Sequence, residues 1–146
     1  MRKQAYQIVN SGLPNGSYSA FAYFNGSVYV ADVGGTLKAF SLGQALLPAT
    51  WTSQSSASYA FPGSSPAVSA NGSSNAIVWA VVSNAGSAAV LHAYNPANLA
   101  QEYYNSNQAA NARDAFGNGE KFITPVIANG KVFVGTPSGV AVFGLL

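Results

Sequence analysis

The chain has 146 residues, 49% hydrophobic and only 7% charged, and six Lys/Arg against four Asp/Glu leave a formal net charge of +2. It contains no cysteine, which excludes disulfides, thiolate catalysis, iron–sulfur clusters and cysteine-based zinc sites. The bases Arg2, Lys3, Lys38, Arg113, Lys121 and Lys131 are scattered, so no cluster meets a row of phosphates and nucleic acid is not expected as a partner. Apolar runs stop well short of the about 20 residues that a membrane helix needs, so no membrane partner is expected either.

The order of the chain begins with Met1-Arg2-Lys3, which has the basic character of a signal-peptide start. Gln4, Gln7, Asn10 and Ser11 interrupt any apolar stretch after it, so no export signal is expected. Tyr6–Ser11 alternates as a strand does. Three repeats follow. The first is Ala20–Asp32 and then Val33–Phe40; the second is Ser65–Val82 and then Ala88–Tyr94; the third is Thr124–Thr136 and then Ser138–Phe143.

Each repeat reads as strand, Asn-Gly turn, strand, short Gly- or Ser-containing turn, strand. Asn-Gly suits a two-residue hairpin because both central residues need positive φ. The segments Val-Tyr-Val, Ile-Val-Trp and Val-Phe-Val supply the β-branched and aromatic residues that half-buried strands favour. The pairs Asn25-Gly26, Asn71-Gly72 and Asn129-Gly130 recur at intervals of roughly 50 residues, a spacing that marks four-stranded propeller blades.

Fourth strands are assigned to Ala49–Ser53 and Glu102–Ser106, and one helical turn to Ala97–Glu102. The third repeat has no fourth strand of its own. Tyr6–Ser11, however, precedes the first repeat as Tyr103–Ser106 precedes the third, and both segments end in Asn-Ser. The expected layout is an outer closing strand in residues 1–16, blades in 17–63 and 64–121, and three inner strands of a last blade in 122–146.

These residues resemble the pyrroloquinoline-quinone-like (PQQ-like) β-propeller repeat of bacterial proteins. The likeness is closest at Thr124–Phe143 and extends through Ala20–Phe40 and Ser65–Tyr94, the last with an insertion at Ser73–Asn75 and a longer turn at Ser83–Ala88. Tyr104–Asp114, Lys121-Phe122 and the ending Val142–Leu146 look like the C-terminal end of longer members. The resemblance implies an all-β propeller fragment of about three blades, from an exported bacterial protein. Quinoprotein dehydrogenases of that superfamily use a vicinal cysteine pair and a calcium site of Glu, Asn and Asp, and no such residue carries over here. PQQ is therefore not expected as a cofactor.

Propellers have 4 to 8 blades, and three blades leave two apolar faces open. Two chains supply six blades, within that range, so the expected partner is a second copy, with Tyr6–Ser11 of one chain beside Val140–Leu145 of the other. A fragment of a longer parent chain is the alternative.

Candidate chemistry centres on loops that lead into the inner strands, which in propellers line the mouth of the central channel. The longest, Ser106–Lys121, carries Arg113, Asp114, Glu120 and Lys121; Asp32 sits beside the Gly34-Gly35 turn. Asp114, Arg113 and Asp32 are the candidate catalytic residues, and Asp114, Asp32 and Glu120 the candidate metal ligands. Carboxylates meeting at an axis suit Ca²⁺ or, alternatively, Zn²⁺, and two-fold symmetry doubles each ligand. Against this stands a structural role, in which Arg113 pairs with Asp114 to pin the loop and Asp32 caps a turn. His92 is read as a structural strand residue, at the position held elsewhere by Lys38 or Val142, and Glu102 as solvent-facing. Tyr18, Tyr59, Phe61 and Phe116 serve packing between blades or line a pocket. Two functions follow: a non-catalytic module that presents a channel to a small-molecule ligand or partner, or a metal-assisted hydrolase of phosphoesters or lactones.

Overall fold

The computed structural model describes residues 6–10 and 12–144. They form an all-β fold of three antiparallel sheets with four, four and three strands. The first sheet contains β1 (Ala22–Phe24), β2 (Ser27–Ala31), β3 (Gly35–Ser41) and β4 (Ser53–Tyr59). The second contains β5 (Ala67–Asn71), β6 (Ser74–Val82), β7 (Val90–Asn95) and β8 (Asn98–Asn105). The third contains β9 (Val126–Ala128), β10 (Lys131–Thr136) and β11 (Gly139–Phe143). Strands within each sheet pair in chain order, so every sheet is a meander. Successive sheets meet through their first strands, β1 on β5 and β5 on β9, and β4 also packs on β8.

Turn chemistry explains the hairpins. Asn25 and Gly26 (φ +43° and +82°) and Asn129 and Gly130 (+49° and +70°) take the two left-handed positions that the tight hairpin requires. The second repeat departs from this plan. Asn71 stays in β5, the turn moves to Gly72-Ser73, and Asn75 adopts φ +52°. The pairing of β5 with β6 is irregular between Ser69 and Asn71, where the inserted residues are absorbed.

The fourth strands differ from the sequence expectation. β4 begins at Ser53, where the assigned strand ended, and runs to Tyr59. β8 spans Asn98–Asn105, so Ala97–Glu102 is not a helical turn. Pairing with β7 overrides the helix-favouring Leu-Ala-Gln-Glu stretch. The short helical pieces are 3-10 turns at Ser106–Gln108 and Ala110–Ala112.

Two cores lie between the sheets. Tyr29, Leu37, Tyr59, Val78, Tyr94 and Leu99 fill the space between the first and second sheets. Val81, Leu91, Val132 and Val134, with Trp79, Phe116, Ile123 and Phe143 around them, fill the space between the second and third. Each fully buried leucine contributes about 1.5–3 kcal/mol of transfer free energy. Serine hydroxyls connect the layers: Ser53 Oγ accepts from the Leu99 amide at 3.1 Å, and Ser64 Oγ from the Val81 amide at 3.1 Å.

Register fixes which positions correspond. Ala31 faces Leu37, Val81 faces Leu91 and Gly135 faces Val140, so Leu37, Leu91 and Val140 are equivalent. By the same pairing, Lys38 and His92 correspond to Ala141 rather than to Val142. Val142 corresponds instead to Ala39 and Ala93. Leu37 and Leu91 are 0% exposed because the next sheet covers them, whereas Val140 is 64% exposed and Val142 51%. With Phe133 on the same side of the sheet, they give the third sheet an open apolar face.

Candidate functional site

After β8 the chain enters a long loop built by local bonds. The Asn105 side chain caps the first 3-10 turn, and Gln108 returns a bond to the Asn105 amide, a reciprocal box. Asn111 and Ala112 take left-handed φ values of +56° and +51°, which turns the loop back. Phe116 then packs edge-on against Phe143 at 5.2 Å, and bridges Ala88–Asn118 and Ala85–Gly119 fasten the loop to the second sheet. Gly119 lies so close that a β-carbon there would come within 2.7 Å of the Ser83 Cα.

This loop places Arg113 and Asp114 side by side, as one of the two sequence readings expected. Arg113 donates from Nε to Asp114 Oδ1 at 2.7 Å and from Nη2 to Oδ2 at 3.0 Å. Tyr104, on β8, donates its hydroxyl to Asp114 Oδ2 at 2.5 Å. Arg113 and Tyr104 hold the Asp114 carboxyl down at about 2. Burial, then the neighbouring carboxylate, pushes the Tyr104 phenol up to about 12. Asp114 is thus a clamped acceptor, ionised at neutral pH, with both oxygens engaged. Such a group orders a loop better than it moves protons.

Arg113, Asp114 and Tyr104 form one wall of an open cleft of about 840 Å³ between the second and third sheets. Trp79, Val132 and Phe143 supply an apolar floor, and Val142 on β11 borders it. Neither Tyr104 nor Trp79 stands out in the sequence as a site residue. Tyr104 becomes legible only once β8 is known to face the loop across ten residues.

The other candidates lie elsewhere. Asp32 is buried at the end of β2 and accepts from Lys38 Nζ at 2.6 Å; Lys38 also lies 5.0 Å from the Trp51 ring. Gly35 permits this arrangement, since a β-carbon there would sit 2.0 Å from Asp32 Oδ1. Glu120 is exposed, and its backbone carbonyl, not its carboxylate, accepts from Ser83 Oγ at 2.7 Å. Among the described residues no three His, Cys, Asp or Glu side chains come together as a metal site, so Asp32, Asp114 and Glu120 do not meet within one chain.

His92 occupies a buried position on β7 and contacts Glu102 Oε1 through Nδ1 at 2.5 Å, with its ring stacked 5.8 Å from Tyr94. Glu102 is therefore not the solvent-facing residue expected: it is partly buried and also accepts from Asn105 Nδ2 at 2.8 Å. Its pairing across β7 and β8 draws it inward. Tyr59 and Phe116 pack between sheets, whereas Tyr18 and Phe61 are exposed. These two join Phe122 in an edge-to-face row, with centroids 5.4 and 6.1 Å apart, and Lys121 lies 5.2 Å from the Phe61 ring. All three rings belong to loops that lead into first strands.

Among the described residues no helix is long and apolar enough to cross a membrane. A scan of protein-family models, a search of the curated proteins and a search of the solved structures each return no match to this chain.

Proposed function

We propose that this chain is a PQQ-like β-propeller repeat module that completes its ring with a second copy and presents the loop face around Tyr18, Phe61 and Phe122 to a ligand or partner. The observation that carries this reading is the open face of the third sheet. Its positions repeat those that are buried in the first two sheets, and they remain apolar: Val140 stands for Leu37 and Leu91, and Val142 for Ala39 and Ala93. An edge sheet evolved to face water would carry charges there. A contiguous apolar face of this kind marks an association surface.

The charged residues support a binding role over a catalytic one. Asp32, Asp114 and Glu102 each have a dedicated partner in Lys38, Arg113 and His92. The exposed aromatic row, with Lys121 beside it, is an accessible recognition surface on the leading loops.

The test is Val140→Lys. Val140 is largely exposed in one chain, so the substitution leaves the fold of that chain intact, as far-ultraviolet circular dichroism would report. In the assembly it buries an unpaired charge, and association is expected to weaken at least about 100-fold. Unchanged association would overturn the reading.

A further inference from the structure

The third sheet differs from its siblings in a second way. β3 is paired on its far side by β4, and β7 by β8, but β11 is the edge of its sheet. Beside that edge lies the cleft floored by Trp79 and Phe143. Residues 6–10, meanwhile, pair with no strand of the three sheets. Gln7 ties this segment to the first sheet instead: its side-chain amide donates to the Leu47 carbonyl at 2.7 Å and accepts from the Leu47 amide at 2.9 Å. Val9 lies near Phe40 of the same sheet, for a β-carbon on Gly12 would be 3.1 Å from the Phe40 ring and 3.6 Å from Val9 Cγ1. Tyr6 and Ile8 point into solvent, with Ile8 73% exposed.

The second and third sheets show what such a segment does. β8 is the outer strand of the second sheet, and the chain passes from it through a covering loop into β9, the first strand of the third. Residues 6–10 stand in the same relation to β1. They share the Asn-Ser ending of β8 and its covering loop, since Gly12 contacts Phe40 where Phe116 contacts the equivalent Phe143. By that equivalence they are the outer strand of a sheet that precedes the first. The first and third sheets flank the second, so the third sheet of the same chain is on the wrong side to receive them.

Resting on the proposed self-association, we infer that Tyr6–Asn10 of a second copy adds to β11 as its antiparallel fourth strand. Asn105 pairs with His92 and Tyr104 with Ala93. Transferring that register sets Asn10 opposite Ala141 and Val9 opposite Val142. The bulge that sets Glu102 rather than Tyr103 opposite Tyr94 carries over as well, so Gln7 lies opposite Phe143, Ile8 takes the extra position between Gln7 and Val9, and the open edge is covered in a single step. Tyr104 and the Arg113–Asp114 clamp become the wall against which the incoming strand rests. The exchange is reciprocal across a two-fold axis, as an isologous dimer requires.

The absence of cysteine makes the test clean. A Val9→Cys, Val142→Cys double variant is expected to form a covalent dimer under mild oxidation or with a short bis-maleimide. Each single variant should give none of this heterologous product. Val9→Asp serves as an independent probe: Val9 belongs to no strand of the three sheets in one chain, so the far-ultraviolet circular dichroism should be unchanged, while association should weaken about 100-fold. A dimer that neither cross-links at this pair nor responds to Val9→Asp overturns the strand exchange and leaves the association through Val140 standing. A cross-link within one chain overturns it as well. A monomer at all concentrations overturns both.

Discussion

Asp32→Ala is expected to destabilise the protein by about 3–5 kcal/mol in urea unfolding at a fixed protein concentration. Asp32 and Lys38 are both almost fully shielded, and the Nζ to Oδ1 distance is 2.6 Å. Truncating the carboxylate leaves the ammonium group buried beside the Trp51 ring, 5.0 Å away. A cation facing an aromatic ring recovers about 0.5–2 kcal/mol, less than the loss. Replacing both partners, Asp32→Ala with Lys38→Met, removes the charge as well as its partner and should cost less than the single change. A loss below about 0.5 kcal/mol for Asp32→Ala, within the range of a surface substitution, would mean that Lys38 reaches water and that the pair is not part of the core.

The second large effect concerns the interface between the first two sheets. The hydroxyls of Tyr59 and Tyr94 meet at 3.0 Å inside the core. Tyr59→Phe or Tyr94→Phe deprives the remaining hydroxyl of that partner and should cost about 1–3 kcal/mol, and the double change less than the sum of the two. Burial raises both phenols, Tyr94 to about 12 and Tyr59 well above 10. In the unfolded chain these groups ionise near 10. The unfolded state therefore loses its protons first as pH rises. Their contribution is fully present below pH of about 10 and declines as pH climbs through about 12. A spectrophotometric titration should show their phenolate absorbance rising only together with loss of the β-sheet signal. Ionisation of all eight tyrosines near pH 10 in a still-folded protein would contradict the buried pair.

The three repeats were legible because hairpin chemistry is local. An Asn-Gly pair between β-branched runs specifies a turn and two strands without help from distant residues. The fourth strands were not legible for the opposite reason. β4 reads Ser-Gln-Ser-Ser-Ala-Ser-Tyr, with no apolar alternation to mark it. It is held by long-range bonds, such as Ser55 Oγ accepting from the Leu37 amide and Ser53 Oγ from Leu99. β8 contains good helix formers that cross-strand pairing overrides.

At the candidate site, adjacency in sequence made the Arg113–Asp114 pair readable. The contacts of Tyr104 with Asp114, and of His92 with Glu102, each span ten residues of chain and depend on the register of β7, β8 and the following loop. The metal expectation assumed that loop carboxylates converge. Within one chain Asp32 is turned into the first sheet toward Lys38, and Asp114 is held by Arg113 and Tyr104. What polar sequence alone could not reveal is that three of the four carboxylates, Asp32, Glu102 and Asp114, are held by partners within the chain.

The central claim is that the open face of the third sheet is covered by another copy of the chain. Native mass of the unmodified protein, measured across a dilution series, tests it most directly. A species at about twice 15.0 kDa that persists to low micromolar concentration is the expected result. A well-behaved particle of 15.0 kDa at every concentration would contradict it, because Val140 and Val142 would then face water in the native state.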